Sequence, residues 1–388
     1  MALTPQDEMN LSRALGLAQE AAAFASPNPT VGCVLTRDGN VLGEGAHLYE
    51  QRDHAEIAAL KQAAVAGHRV EGATAYVTLE PCAHHGRTGP CSEALVAAGV
   101  GRCVVATVDP NPLVRGAGLD KLRAGGVEVM SLDSGHRLAR QARRLNDAFA
   151  HFIQQRRPFM TLKAALSVDG MIAPPTAARG GVAPHWLTGS AARADAQMLR
   201  HGNDAILVGI GTVLADDPAL TDRSGLARRR ALLRVVLDRH LRTPLDSALV
   251  TSAGNDVLVM TSEFAPAERE AALAARGVEV VRLPGADGLL DLQAVLAELG
   301  RRDVISVLVE GGSGVNGALL RADLVDRVVL YFAEAELGVE AIPFAAGFGS
   351  PYALQQRLSE VTRAGFASDV GAKGEDVRVM GYLHDPWA

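Results

Sequence analysis

The chain has 388 residues, of which 48% are apolar and only 4% aromatic, and its formal net charge is −6. That length exceeds what one hydrophobic core supports, so two domains are expected, with cores built mainly from Ala, Val and Leu. The negative charge argues against wrapping a polyanion and the scarcity of rings against base stacking, which leaves small anionic ligands held in local basic pockets.

The segment Met1 to Asn10 carries Asp7 and Glu8 and lacks a basic start followed by an apolar run, so no secretory signal is read there. No apolar stretch approaches the roughly 18 residues needed to span a bilayer. A cytoplasmic location is therefore expected. Four cysteines in a chain of this length suit metal binding in a reducing compartment better than a disulfide framework. Cys33 and Cys103 lie in apolar runs and read as buried, unreactive thiols.

In chain order, the first half predicts a helix over Asp7 to Phe24, strands over Val31 to Thr36 and Val41 to Ala46, and a helix from His54 to Ala66. A strand at Ala75 to Leu79, a helix from Cys91 to Ala98, a strand at Cys103 to Val108, a helix from Gly118 to Ala124 and a strand at Glu128 to Ser131 follow. The Arg-rich segment Gly135 to Arg157 has a helical pattern and stops at Pro158, which cannot continue a helix, so the boundary falls there. The two domains are read as residues 1–150 and 158–388. Beyond the boundary, strands are predicted at Phe159 to Ala165, Ala205 to Val208, Leu232 to Leu237, Asp256 to Thr261, Glu279 to Leu283, Val304 to Val309 and Arg327 to Phe332. Alternation of Val-rich runs with Ala- and Leu-rich helical segments is the pattern of α/β architecture in both halves. The tract Pro174 to Pro184 reads as a loop, and Arg228 to Arg230 as a solvated basic turn.

The chemistry-bearing stretch is His54-Ala55-Glu56, then Pro81-Cys82, then Cys91. One imidazole and two thiols make three good zinc ligands, and thiolates near helix starts have lowered pKa values. A structural zinc site closes its tetrahedron with a fourth Cys or His, whereas three ligands leave a position for water. His84 and His85, inside the loop between the cysteines, are the alternative fourth ligands. Glu56 stands two residues after His54, so on a helix it does not stack above that ligand. It suits a non-ligand that moves protons between water and a leaving amine.

The HAE and PC motifs resemble the cytidine deaminase superfamily. The long insert Ala83-His84-His85-Gly86-Arg87-Thr88-Gly89-Pro90, with Pro27-Asn28-Pro29-Thr30-Val31-Gly32 upstream and Asp109-Pro110-Asn111-Pro112 downstream, is similar to the bifunctional deaminase-reductases of riboflavin biosynthesis. The resemblance implies a three-layer αβα deaminase domain. Its reaction would be zinc-dependent hydrolytic deamination of a diaminopyrimidinone ribosylamine phosphate, with Glu56 as the proton carrier and His54, Cys82 and Cys91 on the metal. Asn28, Asp109 and Asn111 match family positions near the substrate, although turn chemistry alone also accounts for an Asn between prolines. Gln51 and Arg115 depart from the family pattern.

In the second half, the strand Val304 to Val309 runs into Glu310-Gly311-Gly312-Ser313-Gly314 and a helix, a turn that presents N–H groups to phosphate or serves tight packing. Here too there is family likeness, in Lys163, Ala165, Ser167 and Asp169-Gly170, in Trp186-Leu187-Thr188-Gly189, and in Arg200, Thr212, Asp216-Asp217-Pro218-Ala219-Leu220 and Arg223. The resemblance implies a dihydrofolate-reductase-like α/β domain that uses NADPH to reduce the ribosyl group to ribityl. It assigns Ala165, Trp186, Thr212, Asp216 and Gly312, Ser313, Gly314, Val315, Asn316, Gly317 and Ala318 to the cofactor. It assigns Lys163, Ser167, Arg200, Leu220, Arg223 and Glu310 to the substrate, with the arginines suited to its phosphate. Pro184 and Arg239 stand where smaller or hydroxylated residues are usual. A deaminase with a degenerate second domain, a zinc nucleoside or nucleic-acid deaminase, and a non-catalytic zinc module are the competing readings. A homo-oligomer acting on a small molecule, with no nucleic acid or membrane partner, is the expectation.

Overall fold

A computed structural model describes residues 3–83, 89–175, 186–286, 289–370 and 374–388. The sequence expectations for His84, His85 and Pro184 lie outside the described residues. The chain divides into two compact units, one running through Arg156 and the other from Arg157 to Pro386, with Trp387 counted in the first.

The first unit opens with helix α1 (Pro5–Ala25), whose start is fixed by a capping box. The Thr4 hydroxyl accepts from the Asp7 N–H at 3.1 Å, and the Asp7 carboxylate accepts from the Thr4 N–H at 3.0 Å. Asp7 is also buried beneath Tyr76 and Arg102, whose guanidinium lies 2.6 Å away. Strands β1 (Gly32–Arg37) and β2 (Asn40–Ala46) form a hairpin closed by Asp38-Gly39, both at positive φ, as a tight primed turn requires. There follow α2 (Ala55–Val65), β3 (Thr74–Val77), α3 (Cys91–Ala97), β4 (Arg102–Val105), α4 (Ala117–Ala124) and β5 (Glu128–Ser131). The sheet order is β2-β1-β3-β4-β5, antiparallel through β3 and parallel from β3 to β5.

Strand alternation divides the core by face. Ala75, Val77, Cys103 and Val105 pack with Ala59, Leu95 and Leu122 of α2, α3 and α4. Tyr76 and Val104 pack on the other face with Leu11 and Leu15 of α1. The result is a three-layer αβα unit. Helix α2 lies directly on β2, because a Cβ on Gly45 would stand 2.6 Å from the Ala58 Cβ and 2.8 Å from the Ala55 carbonyl oxygen.

The helix expected over Gly135 to Arg157 is two helices, α5 (Arg137–Leu145) and α6 (Asp147–Gln155), broken at Asn146. The buried Asn146 amide exchanges hydrogen bonds with the Thr30 backbone at 2.7 and 2.9 Å and also donates to the Ala142 carbonyl. That side chain takes over backbone partners in the way that makes Asn a helix breaker. Cys33 and Cys103 are buried free thiols, pushed up by burial as expected.

The second unit contains a nine-stranded sheet. Its elements begin with β6 (Phe159–Ser167), β7 (Met171–Ala173), α7 (Ser190–His201), β8 (Ala205–Gly209), α8 (Ile210–Asp216), β9 (Leu233–Leu237), α9 (Ala248–Thr251) and β10 (Val257–Ser262). They continue with α10 (Ala267–Ala274), β11 (Glu279–Leu283), β12 (Gly285–Ala286), β13 (Leu289–Leu290), α11 (Leu292–Arg301), β14 (Ser306–Val309) and α12 (Ser313–Arg321). Last come β15 (Arg327–Ala333), β16 (Ile342–Pro343), α13 (Pro351–Gln355), β17 (Ser359–Ala367) and β18 (Glu375–Tyr382). The order is β11-β10-β9-β8-β14-β6-β15-β18-β17, parallel from β11 through β15 and antiparallel at the last two strands.

Ala205 and Leu207 face one cluster and Ile206 and Val208 the other, so the central strands are buried on both sides and read as continuous apolar runs. The sequence reading omitted β17 and β18. Strand β17 is an edge strand with mostly exposed residues and no apolar run, and the first half of β18 is broken by Glu375, Asp376 and Arg378. Among the described residues, no helix is long and apolar enough to cross a membrane.

Candidate active sites

The first site forms at the start of α2 and at the ends of β2 and β3. His54 caps α2 in extended conformation, which leaves its ring free of the helix, and Glu56 occupies the first turn. Cys82 follows the end of β3 and Cys91 opens α3. The three side chains converge, with both sulfurs near the same imidazole nitrogen: Cys82 Sγ is 3.5 Å and Cys91 Sγ 3.3 Å from His54 Nδ1. A tetrahedral zinc with bonds of about 2.3 Å to sulfur and about 2.0 Å to nitrogen separates those atoms by about 3.5 Å. The donor set therefore fits zinc in both chemistry and spacing.

Electrostatics agree with that use. The hydrogen bond from the Cys91 thiol, working against burial and assisted by His54, holds the Cys82 thiol at about 4. Cys91 moves the opposite way, through its bond to Cys82 and through burial. Glu56 is 2% exposed, and burial lifts its carboxyl to about 7, with the Cys91 thiol in hydrogen-bond contact. A buried carboxyl poised near neutrality beside this donor set can both take and return a proton.

His47, which the sequence reading passed over, completes one wall. Its ring meets His54 edge-on at 5.4 Å, its Nδ1–H donates to the Asp53 carbonyl at 2.8 Å, and its Nε2 accepts from the Asn28 amide at 3.0 Å. Burial lowers its pKa, so it stands neutral with that tautomer. A histidine at the end of β2, seven residues before His54, was the available signal.

Asp109 and Asn111 sit in a turn after β4. Asp109 Oδ1 accepts from the Asn111 N–H at 2.8 Å, and Asn111 Oδ1 accepts from the Leu113 N–H at 3.1 Å. The carboxylate of Glu80, 5% exposed, accepts the backbone N–H groups of Asp109 at 3.1 Å, Gly116 at 2.9 Å and Gly118 at 2.8 Å. Arg115 is exposed, and its Nε reaches the Asp109 carbonyl oxygen at 3.4 Å.

The second site is a cleft of about 570 Å³ at the carboxyl ends of the parallel strands. Its walls come from Lys163 and Ala165 of β6, from Gly209 to Thr212 with Ala215 and Asp216 at the end of β8 and along α8, and from Glu310 to Val315 after β14. This is where open α/β sheets bind ligands. The turn after β14 leads into the N-terminus of α12 and presents backbone N–H groups. The Ser313 hydroxyl is buried there and has no partner among the described residues. A Cβ on Gly311 would stand 2.9 Å from both Asn316 Oδ1 and Val315 Cβ, so only glycine leaves this cradle open. These features fit the pyrophosphate of a dinucleotide.

Several expected residues take other places. Asn316 is fully buried with its amide donating to the Phe344 carbonyl, and a Cβ on Gly317 would meet the Ala346 oxygen at 2.1 Å. They and Ala318 form no part of the cleft wall, which ends at Val315 because α12 turns into the core there. Ser167 is fully buried and exchanges hydrogen bonds with the Met171 backbone, closing the turn between β6 and β7. The Leu220 side chain lies in the core, so only its backbone is available to a ligand. Trp186 is half exposed beneath the Arg193 guanidinium rather than on the cleft wall.

Arg200 does not present an open fork. It makes a bidentate pair with Glu310 at 2.9 and 2.8 Å and donates to the Thr221 carbonyl at 2.9 Å. Against its burial, the charges of Lys163, Arg200 and Arg223 hold Glu310 down to about 2. Arg223 is exposed. Arg239 follows the end of β9, with its Nε 2.8 Å from His240 Nε2.

Comparison with known proteins covers both units. Residues 4–107 match the model of the cytidine and deoxycytidylate deaminase zinc-binding region, and residues 158–366 match that of the RibD C-terminal domain. The riboflavin biosynthesis protein RibD of Escherichia coli (strain K12) is 40% identical over 347 residues, 87% of this chain and 90% of that protein. The RibD of Actinobacillus pleuropneumoniae is 39% identical over 84% of each chain. Among solved structures, a Thermotoga maritima diaminohydroxyphosphoribosylaminopyrimidine deaminase/5-amino-6-(5-phosphoribosylamino)uracil reductase superposes with a TM-score of 0.80 at 33% identity, covering 97% of this chain and 99% of that one. Acinetobacter baumannii RibD superposes at 0.77 with 36% identity, covering 97% and 98%.

Proposed function

The chain belongs to the RibD family, and from that membership we propose how its two sites divide the work of a bifunctional enzyme. It is a deaminase and a reductase of riboflavin biosynthesis, with zinc and NADPH as cofactors. The observation that carries the residue assignment is the buried Glu56 carboxyl, set against three converging ligands.

At the first site, His54, Cys82 and Cys91 would hold zinc, which when bound makes water acidic enough to serve as a nucleophile at neutral pH. Glu56 takes the proton given up by that water as its oxygen adds to the amino-bearing ring carbon. It then delivers a proton to the departing nitrogen, so that C–N breaks, C–O forms and ammonia leaves. Asn28, oriented by neutral His47, and Asp109 and Asn111 bind the pyrimidine and ribose of the substrate, 2,5-diamino-6-(5-phosphoribosylamino)pyrimidin-4(3H)-one.

At the second site, Gly312 to Val315 hold the pyrophosphate of NADPH, with Ser313 donating its hydroxyl, and Ala165, Thr212 and Asp216 contact the rest of the nucleotide. NADPH, when bound, supplies a hydride to C1 of the ribosyl group. Lys163, cationic beside Glu310, gives a proton to the ring oxygen as the C1–O bond breaks, and an open ribityl chain results. Arg223 meets the substrate phosphate, while Arg200 acts by holding Glu310. Ser167, Leu220, Asn316, Gly317 and Ala318 have supporting parts in the backbone and core.

We assign the enzyme to the cytoplasm as a homo-oligomer. Free thiols in a metal-binding set suit a reducing compartment, and the edge strand β17 leaves backbone groups open to another chain. The decisive experiment incubates the purified protein with the diaminopyrimidinone substrate, with and without NADPH, and weighs the products. Deaminated product without NADPH and ribityl product with it are expected. No NADPH-dependent product would reduce the second unit to a degenerate partner.

A further inference from the structure

We infer that Glu80 is a positioning residue of the deaminase centre, fixing the loop that carries Asp109 and Asn111 to the segment that supplies Cys82. The inference rests on the reading that those two side chains face the substrate. Glu80 stands two residues before the ligand Cys82 and is almost wholly buried. Its own N–H donates to the Thr107 carbonyl at 2.9 Å, which keeps the chain after β3 alongside the chain after β4. Its carboxylate then accepts three N–H groups from the neighbouring loop, two on Oε2 from Asp109 and Gly116 and one on Oε1 from Gly118.

Three converging N–H donors call for acceptors, and the two oxygens of the Glu80 carboxyl group supply them. Packing gives the loop little other support. From Asp109 to Gly116 the only fully buried residue is Pro110, and Leu113 is 89% exposed. The far end is pressed equally close, since a Cβ on Gly118 would lie 1.9 Å from the Pro81 carbonyl oxygen. Glu80 therefore sets where Asp109 and Asn111 stand relative to the metal ligands without touching substrate itself.

The test uses the full-length, zinc-loaded chain and ammonia release from the diaminopyrimidinone phosphate. Glu80→Gln turns one acceptor into a donor that faces an N–H. It should raise KM about 10-fold, at the low end of the effect of outer-shell partners, with kcat within about twofold, one zinc per chain and NADPH-dependent reduction unchanged. Glu80→Asp, which keeps the carboxylate, should recover part of the loss. Because Glu80 acts through the loop, adding Glu80→Gln to Asn111→Ala should raise KM no further than the worse single variant.

Wild-type KM in a zinc-loaded Glu80→Gln protein overturns the inference. So does a KM penalty that multiplies with that of Asn111→Ala, and so does zinc loss with lowered kcat at unchanged KM, which would place the effect on Cys82. If Asp109→Ala and Asn111→Ala leave KM unchanged while Glu80→Gln raises it, the substrate-facing reading of the loop fails and the inference falls with it. Should Glu80→Gln not fold, Gly118→Ala displaces the same loop from its other end and should give the same rise in KM with zinc retained.

Discussion

Gly45→Ala tests whether the metal centre depends on the close seating of α2 on β2. The new methyl would stand 2.6 Å from the Ala58 Cβ and 2.8 Å from the Ala55 carbonyl oxygen, which is 0.8 and 0.6 Å short of the 3.4 Å at which ordinary contact begins. Both obstacles belong to the helix itself, so no side-chain rotation relieves them, and the first turn of α2 must lift by that amount. That turn carries Glu56 and follows His54, whereas Cys82, in the segment after β3, and Cys91, at the start of α3, lie outside it and stay behind. Overpacking of this kind costs about 1–3 kcal/mol of stability, and a displacement approaching 1 Å at a reacting centre costs about 100-fold in rate. We expect zinc to bind about 10–100-fold more weakly, deamination at saturating zinc to fall about 100-fold, and NADPH-dependent reduction of deaminated substrate to persist. Zinc titration with a chromophoric competitor and ammonia release measure the two effects. Gly16→Ala is the control, because nothing lies within 4 Å of its added methyl, and it should stabilise α1 by about 0.5–1 kcal/mol. If Gly45→Ala matches the wild type in zinc affinity and deamination, the seating of α2 does not set the geometry of the site.

Other outcomes follow from the same structure. Glu56→Gln should retain zinc by metal analysis and lose about 10²–10⁴-fold in ammonia release, while reduction of the deaminated substrate survives; deamination at the wild-type rate would remove Glu56 from its role. Gly311→Ala places a methyl 2.9 Å from Asn316 Oδ1 and Val315 Cβ in the phosphate cradle; it should weaken NADPH binding about 10-fold by fluorescence titration, and an unchanged dissociation constant would move the cofactor elsewhere. Against burial, Arg102, the Thr4 N–H and Tyr76 hold Asp7 well below the usual carboxylate range. A group depressed in the folded state stabilises it above the unfolded value near 3.8 and loses that contribution as pH falls below it. Melting temperature should therefore drop between about pH 4 and pH 2 more steeply in the wild type than in Asp7→Asn, which should be less stable by about 3 kcal/mol at pH 7.

The parts that could be read in the sequence are those whose signal is local. The capping residues of α1, the Asp38-Gly39 turn and the apolar runs of the central strands are set by neighbours a few residues away, and so are the three converging donors His54, Cys82 and Cys91, each next to a helix start or a turn. What escaped depends on partners far along the chain. Asn146 breaks a helical pattern because Thr30 receives its amide, and nothing near Asn146 announces that. His47 and Glu80 are ordinary polar residues until Asn28 and the N–H groups of Asp109, Gly116 and Gly118 are brought to them. The Gly312 to Ala318 run reads as one motif, yet after Val315 it turns into the core, where Gly317 serves close packing against Ala346. Arg200 reads as an anion binder, but a carboxylate 110 positions later, Glu310, already occupies its fork.

The loop anchored by Glu80 is a closed ring with its ends clamped at Asp109 and Gly118. Insertions or deletions between those clamps would have to break one of them, so its length is the costly variable for anyone redesigning the substrate range. Its composition is not: Pro112, Leu113 and Arg115 are exposed and give nothing to Glu80, and the Arg115 side chain adds only the long Nε contact to the Asp109 carbonyl. A library that randomises these three positions at constant length keeps the metal ligands in register while it changes what the loop presents to solvent.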